Sequence, residues 1–144
     1  MAVPPISPFG VHHLAIQCRD LPVMVRFYER VLRLKIERRW PSSDHTDEAG
    51  GDRSVWLRSG TSVLALERCE GEAPVPAWQS ATPGLHLLAL EISWQNRDTW
   101  LGHLKHCGVE VVFESAWTIY LRDPEGNRIG LSHFPFTAEG VRSA

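Results

Sequence analysis

The chain has 144 residues, a hydrophobic fraction of 43%, a charged fraction of 22% and a formal net charge of −2 at pH 7. This length suits one globular domain with its own core. The weak negative charge gives no electrostatic reason to expect a nucleic acid or an anionic membrane as partner. No apolar run approaches the roughly 20 residues of a membrane-spanning helix. Cys18, Cys69 and Cys107 are widely spaced and odd in number, which favours reduced thiols and a cytoplasmic protein.

The first half of the chain predicts one strand, one helix and three further strands. The apolar segment 11–18 is typical of a buried strand. Asp20 is suited to cap the following helix, and Pro22 falls in its first turn, where a missing N–H costs little. A polar loop is expected at 41–52. The three later strands are predicted at 35–40, 54–58 and 62–68.

The second half predicts the same order of elements after a linker rich in proline and glycine. Residues Trp100 and Leu104 mark the apolar face of a helix that Gly108 is suited to end. A turn at 123–126 joins the last two strands. The strands of this half are predicted at 85–93, 109–114, 118–122 and 127–133.

Repeated sequence supports a duplication. His13-Leu14 and His86-Leu87 open the first strand of each half, 86 − 13 = 73 residues apart. Trp56 and Tyr120 occupy equivalent positions in a later strand of each half. Imidazole is the commonest protein metal ligand. Two imidazoles facing one cavity therefore predict a small-molecule pocket that holds a metal ion.

These segments also resemble a known family. Segment 11–16, followed by Asp20 and Phe27, resembles the opening of vicinal oxygen chelate proteins, and the Asp-Pro-Glu-Gly-Asn turn at 123–127 resembles their second module. The family includes glyoxalase I, extradiol ring-cleavage dioxygenases, fosfomycin-resistance enzymes and bleomycin-binding proteins. The resemblance implies an α+β fold in which two tandem βαβββ modules form a curled, cup-like mixed sheet. The implied parts are a first module at 9–69, a linker at 70–84, a second module at 85–135 and a tail at 136–144.

The resemblance implies up to four metal-ligand positions, two in each module. By motif, the first-strand positions are His13 and His86, and the last-strand positions are Ala65 and Gly130. Many metal-dependent relatives carry carboxylates at the last-strand positions, whereas alanine and glycine offer no ligating side chain. Catalytic sites usually present three protein ligands. The ligand set for Fe, Mn, Ni or Zn is therefore incomplete, and a pair of hydrogen-bonded histidines left by duplication is the alternative.

Glu67 is the candidate catalytic residue. Strand alternation places Glu67 on the same face as Ala65, about 6.6–6.8 Å further along the strand. There it can serve as a general base or lean toward the histidines as a weak ligand. The structural alternative is a charged strand-end residue that pairs with Arg68 or faces solvent. The polar loop offers further candidate ligands in Asp44, His45, Asp47 and Glu48.

Aromatic residues predict the substrate pocket, because small-molecule sites combine aromatic walls with a few polar groups. The candidate substrate-binding residues are Trp40, Trp56, Trp117 and Tyr120. Two functions remain open. One is a divalent-metal lyase, isomerase or dioxygenase, in which the metal polarises paired substrate oxygens. The other is a metal-free protein that binds or sequesters a small molecule, as the bleomycin-binding relatives do. The family commonly dimerises, so we expect a homodimer in which Trp78 of the linker packs at the interface.

Overall fold

The computed structural model describes residues 7–42, 51–137 and 140–141. The first half contains β1 (His13–Cys18), α1 (Leu21–Arg26), a π-helical turn (Phe27–Val31), β2 (Lys35–Pro41), β3 (Asp52–Ser59) and β4 (Ser62–Arg68). The second half contains β5 (Leu88–Glu91), a 3₁₀ turn (Trp94–Asn96), α2 (Arg97–His106), β6 (Phe113–Glu114), β7 (Thr118–Arg122) and β8 (Arg128–Ser132). A short antiparallel pair follows, formed by β9 (Phe136–Thr137) and β10 (Gly140–Val141). No helix among the described residues is long and apolar enough to cross a membrane.

The two halves form sheets of identical topology. The strand orders are β1-β4-β3-β2 and β5-β8-β7-β6. In each sheet the first and last strands of the module pair in parallel, and the other neighbours are antiparallel. This confirms the predicted α+β fold of two tandem βαβββ units. Strands β5 and β6 are shorter than the predicted 85–93 and 109–114.

Helix α1 begins where the sequence predicts. Asp20 caps it, since the carboxylate Oδ1 accepts a hydrogen bond from the Val23 N–H at 3.2 Å. Leu21, Met24 and Val25 are buried and face the sheet. The helix therefore closes one face of the first sheet.

The hydrophobic core draws on both modules. It lies on the helix-covered face of each sheet and leaves the opposite face open. Its fully buried members include Met24, Tyr28, Val55, Leu57 and Leu66 from the first module and Leu104, Ile119, Leu121, Ile129 and Leu131 from the second.

A polar contact also joins the two modules inside this core. The Tyr28 hydroxyl donates to Asp123 Oδ2 at 2.9 Å, and Asp123 is 4% exposed. Asp123 Oδ1 accepts from the backbone N–H groups of Glu125 and Asn127, while the Asn127 side-chain amide donates to Oδ2 at 2.7 Å. Glu125 in turn accepts from the Arg19 N–H at 2.7 Å. The turn that carries the family resemblance thus binds the second module to the first.

Candidate functional site

Side chains on the open face of the first sheet lie in rows across its strands, because paired residues point to the same side of a sheet. In the central row Ala15 lies opposite Ala65, and Ala65 lies opposite Trp56. His13 belongs to a neighbouring row, opposite Val63.

The row on the other side of Ala65 is polar. It runs Gln17, Glu67, Ser54 and Trp40 from β1 to β2. We call these four residues the polar row. The structure therefore brings His13, Glu67, Trp40 and Trp56 onto one face, as the sequence predicts.

The aromatic side chains of this face contact one another. The His13 and Trp56 rings are stacked, with centroids 5.6 Å apart and an interplanar angle of 19°. Trp56 meets Trp40 edge-on at 5.8 Å. The Arg38 guanidinium carbon lies 3.7 Å from the Trp40 ring centroid, which is a cation–π contact. These contacts make an aromatic wall beside the polar row.

A cavity of about 560 Å³ opens along the polar row and is lined by all four of its members together with Trp56. This volume is within the range of small-molecule sites, roughly 300–1,000 Å³. Glu67 is half-buried and forms no hydrogen bond or ion pair within the described residues, so the alternative ion pair with Arg68 is absent. We call this space the first-sheet cavity.

Two polar atoms of the row lack partners among the described residues. They are the Ser54 Oγ, on a side chain only 5% exposed, and the Trp40 Nε1. Buried polar groups normally have a hydrogen-bond partner, and an orphaned one is unfavourable. The sequence reasoning missed Ser54 and Gln17. In the sequence, strand alternation alone indicates that Ser54 lies on the same face as Trp56 and Gln17 on the same face as His13. Their positions beside Glu67 depend on the register between strands.

The second sheet shifts the predicted correspondence between the modules by one residue. Gly130 lies opposite Ala89 and Tyr120, just as Ala65 lies opposite Ala15 and Trp56. The first strands therefore correspond at an offset of 89 − 15 = 74 residues rather than 73. Leu87 takes the position of His13, and His86 takes that of His12. The shared His-Leu sequence indicated the wrong register, because hydrogen bonding between strands sets the alignment.

His86 precedes β5 and is engaged by its own chain. Its Nε2 lies 2.9 Å from Arg128 Nη1, and because a guanidinium only donates, the imidazole accepts this bond. The Trp78 Nε1 donates to the His86 carbonyl at 2.8 Å, and the two rings are 4.8 Å apart. The Trp78 ring also lies 5.0 and 4.9 Å from the guanidinium carbons of Arg122 and Arg128. Trp78 thus packs against its own chain but stays partly exposed, and its place at a dimer interface stays a prediction.

Tyr120 and Trp117 lie on the second module and do not line the first-sheet cavity. The Tyr120 ring is 5.7 Å from Phe113 and 4.4 Å from the Arg128 guanidinium carbon. Trp117 packs edge-on against Phe134 at 5.3 Å. The predicted equivalence of Tyr120 and Trp56 agrees with the register, but the structure places the two rings on separate sheets.

The described residues do not fit a divalent metal. The register gives the four equivalent positions as His13, Ala65, Leu87 and Gly130, and His13 alone carries a donor. A Cβ on Gly130 would lie 3.0 Å from Thr118 Cγ2 and 3.5 Å from Leu87 Cδ1, so apolar groups fill the space that a carboxylate side chain would need. The described parts of the chain contain no group of three or more histidine, cysteine or acidic residues able to hold a metal. Four loop candidates lie outside the described residues: Asp44, His45, Asp47 and Glu48.

Comparison with solved structures supports the fold. A glyoxalase/dioxygenase from Nostoc punctiforme matches with a TM-score of 0.69 and 18% identity, covering 91% of this chain and 97% of its own. A lactoylglutathione lyase from Agrobacterium tumefaciens matches with a TM-score of 0.61 and 19% identity, covering 88% and 95%. A variant of a fosfomycin resistance protein from Listeria monocytogenes, in complex with Mn(II) and dihydroxypropylphosphonic acid, matches with a TM-score of 0.65 and 17% identity, covering 88% and 93%.

The search of curated proteins finds no significant match. A family model, in contrast, matches residues 10–131, which span both sheets and the linker between them. The chain belongs to the Glyoxalase/Bleomycin resistance protein/Dioxygenase superfamily.

Proposed function

We propose that this protein binds a small organic molecule in the first-sheet cavity without a metal ion. The observation that carries the proposal is the register of the second sheet, which leaves His13 as the one donor at the four equivalent metal positions. A single imidazole is far short of the three protein ligands of catalytic metal sites. The cavity volume, the stacked Trp56 and the unpartnered groups of the polar row support binding.

The superfamily contains both metalloenzymes and resistance proteins, and the similar structures include both kinds. The second candidate function is therefore a metal-dependent lyase, isomerase or dioxygenase that uses His13, His86 and Glu67 with Fe, Mn, Ni or Zn. It is favoured by one observation: the Glu67 carboxylate lies on the same face as His13 and pairs with no described residue. Glu67 could then act as the general base of the reaction.

Elemental analysis of protein purified without chelators separates the two. We expect less than about 0.1 equivalent of Fe, Mn, Ni or Zn. A stoichiometric metal that disappears in the His13→Ala, His86→Ala double variant would contradict the metal-free proposal and favour the enzyme.

Binding is tested with benzamide, a flat and neutral probe, by tryptophan fluorescence. We expect saturable quenching that survives treatment with EDTA and is lost in Trp56→Leu, because that change removes one of the two indole rings that line the cavity. Trp94→Phe is the control, since Trp94 lies on the second module away from the cavity. Quenching that is equal in Trp56→Leu and the control would sink the proposed site.

We also propose a homodimer, with the cytoplasmic location that the cysteine pattern favours. Large apolar side chains stand exposed in the single chain, including Phe9, Val11, Leu85 and Phe113. Exposed apolar surface of this kind marks interaction sites in soluble proteins. We expect light scattering to give twice the chain mass of 16.3 kDa, and Phe113→Glu to shift the protein toward the monomer. A monomer at all concentrations would exclude this assembly.

A further inference from the structure

We infer that the first-sheet cavity selects a flat ligand that carries a positive charge, such as an amine or amidine on an aromatic ring. Glu67 supplies the counter-charge and Ser54 accepts a further N–H of the charged group. This inference rests on the proposed function, because it names the chemical class that the same cavity takes.

The first support is the state of Glu67. Its carboxylate lines the cavity, half-buried, between Gln17 and Ser54 in the polar row. A carboxylate only accepts hydrogen bonds, and within the described residues it has no donor. A partly desolvated carboxylate without a donor is unfavourable until a cationic N–H group reaches it.

The second support is the Ser54 hydroxyl. Ser54 is 5% exposed, lines the cavity directly opposite Glu67, and its Oγ has no partner in the described part of the chain. An amidinium or ammonium group carries several N–H donors, so one group can meet both the carboxylate and the hydroxyl. The aromatic wall, Trp56 and Trp40, suits the flat remainder of such a ligand.

None of the arginines near the cavity forms an ion pair with this carboxylate within the described residues. Arg38 stacks on Trp40, and Arg53 and Arg68 line the cavity together with Glu67. A second acidic residue, Glu70, also lines the cavity. An anionic ligand attracted by the arginines would also lie close to the Glu67 carboxylate, to which it offers no hydrogen-bond donor.

The second sheet provides an internal comparison. Its equivalent row runs Glu91, Ser132 and Thr118. There the two hydroxyls satisfy one another, since Thr118 Oγ1 donates to Ser132 Oγ at 2.9 Å, while Glu91 has no hydrogen bond or ion pair within the described residues. Ser115 Oγ accepts from the Thr118 N–H at 3.0 Å. The buried Ser54 Oγ of the first sheet has no such partner among the described residues, and neither has the Trp117 Nε1 of the second sheet.

The test uses three probes of the same shape and different charge: benzamidine, benzamide and benzoate. Binding to the full chain is measured by tryptophan fluorescence and by the indole N–H signals in NMR spectra. We expect benzamidine to bind at least about tenfold more tightly than benzamide, as a charge-assisted hydrogen bond predicts, and benzoate to bind more weakly than either.

Glu67→Gln keeps the shape of the side chain and removes its charge. We expect it to bring benzamidine to within about twofold of benzamide, because the charge-assisted hydrogen bond is lost. Glu91→Gln makes the same change in the equivalent row of the second sheet and should leave the preference for benzamidine intact. Circular dichroism checks that both variants fold.

The outcomes separate this inference from the proposed function. If benzoate binds as tightly as benzamidine, or if Glu67→Gln retains the preference, the charge selection is wrong. Benzamide binding that depends on Trp56 would then still support a small-molecule site. If none of the three probes perturbs the tryptophan signals, both proposals are overturned.

Discussion

Replacing Tyr28 with phenylalanine tests the contact that joins the two modules. The change removes the hydroxyl that donates to Asp123 Oδ2 and keeps the ring, which is fully buried in the core. A hydrogen bond to a charged group contributes about 1.5–3 kcal/mol. Asp123 retains three other donors, from Glu125 and Asn127, so its carboxylate is not orphaned. We therefore expect a loss near the lower end, about 2 kcal/mol.

The assay is urea unfolding followed by tryptophan fluorescence and circular dichroism. At unchanged slope, the midpoint should fall in proportion to the lost free energy of unfolding. For a chain of this size, 2 kcal/mol corresponds to roughly 4–8 °C in Tm. Asp123→Ala is the companion variant and should cost more, about 3–5 kcal/mol, because it orphans the Tyr28 hydroxyl and the Asn127 amide together. A Tyr28→Phe loss below about 0.5 kcal/mol, or two probes that unfold separately, would refute the reasoning.

The same contact predicts a pH dependence. Burial, and then the adjacent Asp123 carboxylate, raise the pKa of Tyr28 above its usual value. A group whose folded pKa is raised adds stability below its unfolded pKa and loses it as pH rises above that value. The unfolded pKa of tyrosine is about 10. The stability advantage of the wild type over Tyr28→Phe should thus be constant to about pH 9.5 and shrink above pH 10; an advantage that grows there would contradict the assignment.

Three further predictions follow from individual contacts. Burial, and then the charges of Glu125 and Asp123, raise the pKa of Cys18 to about 12, so Ellman's reagent at pH 8 should titrate two thiols in the native protein and the third only in urea; three fast thiols would contradict the burial. Gly130→Glu should lower the free energy of unfolding by about 1–3 kcal/mol, since its Cβ would lie 3.0 Å from Thr118 Cγ2. Calorimetry should detect no gain in Mn(II) affinity, and tight Mn(II) binding would contradict the conclusion that these residues do not fit a metal. Asp20→Ala should cost about 1 kcal/mol through loss of the α1 cap, and an unchanged urea midpoint would show that the cap is dispensable.

Local sequence signals predicted most of the fold. Short apolar runs located β3 and β4, and Asp20 with Pro22 located the start of α1, because these patterns depend on neighbours along the chain. Strand β5 is shorter than its apolar segment because pairing with β8 begins at Leu88. Its length therefore depends on a strand about 40 residues later, which the segment itself does not encode.

The candidate site was predicted less fully for the same reason. Alternation predicted that Glu67 shares the face of Ala65, and the register places it there with Trp56 and Trp40; Trp40 was chosen for its place next to a strand end. The polar row was not predictable, since Ser54 and Gln17 meet Glu67 through pairings of three strands. The repeated His-Leu sequence misplaced His86 by one residue, and a shift of one residue moves a side chain to the other face of a strand.

The turn at 123–127 has a consequence for how proteins of this kind are recognised. Its Asp and Glu side chains are consumed by bonds to Tyr28, Arg19 and the turn itself, and none of its residues lines the first-sheet cavity. A family match that depends on this motif therefore indicates the contact between the two modules and carries no information about the ligand. Two proteins can share this turn and its contacts and still bind unrelated compounds. To group such sequences by ligand, one should compare the residues that lie opposite Ala65 and Glu67 in the sheet.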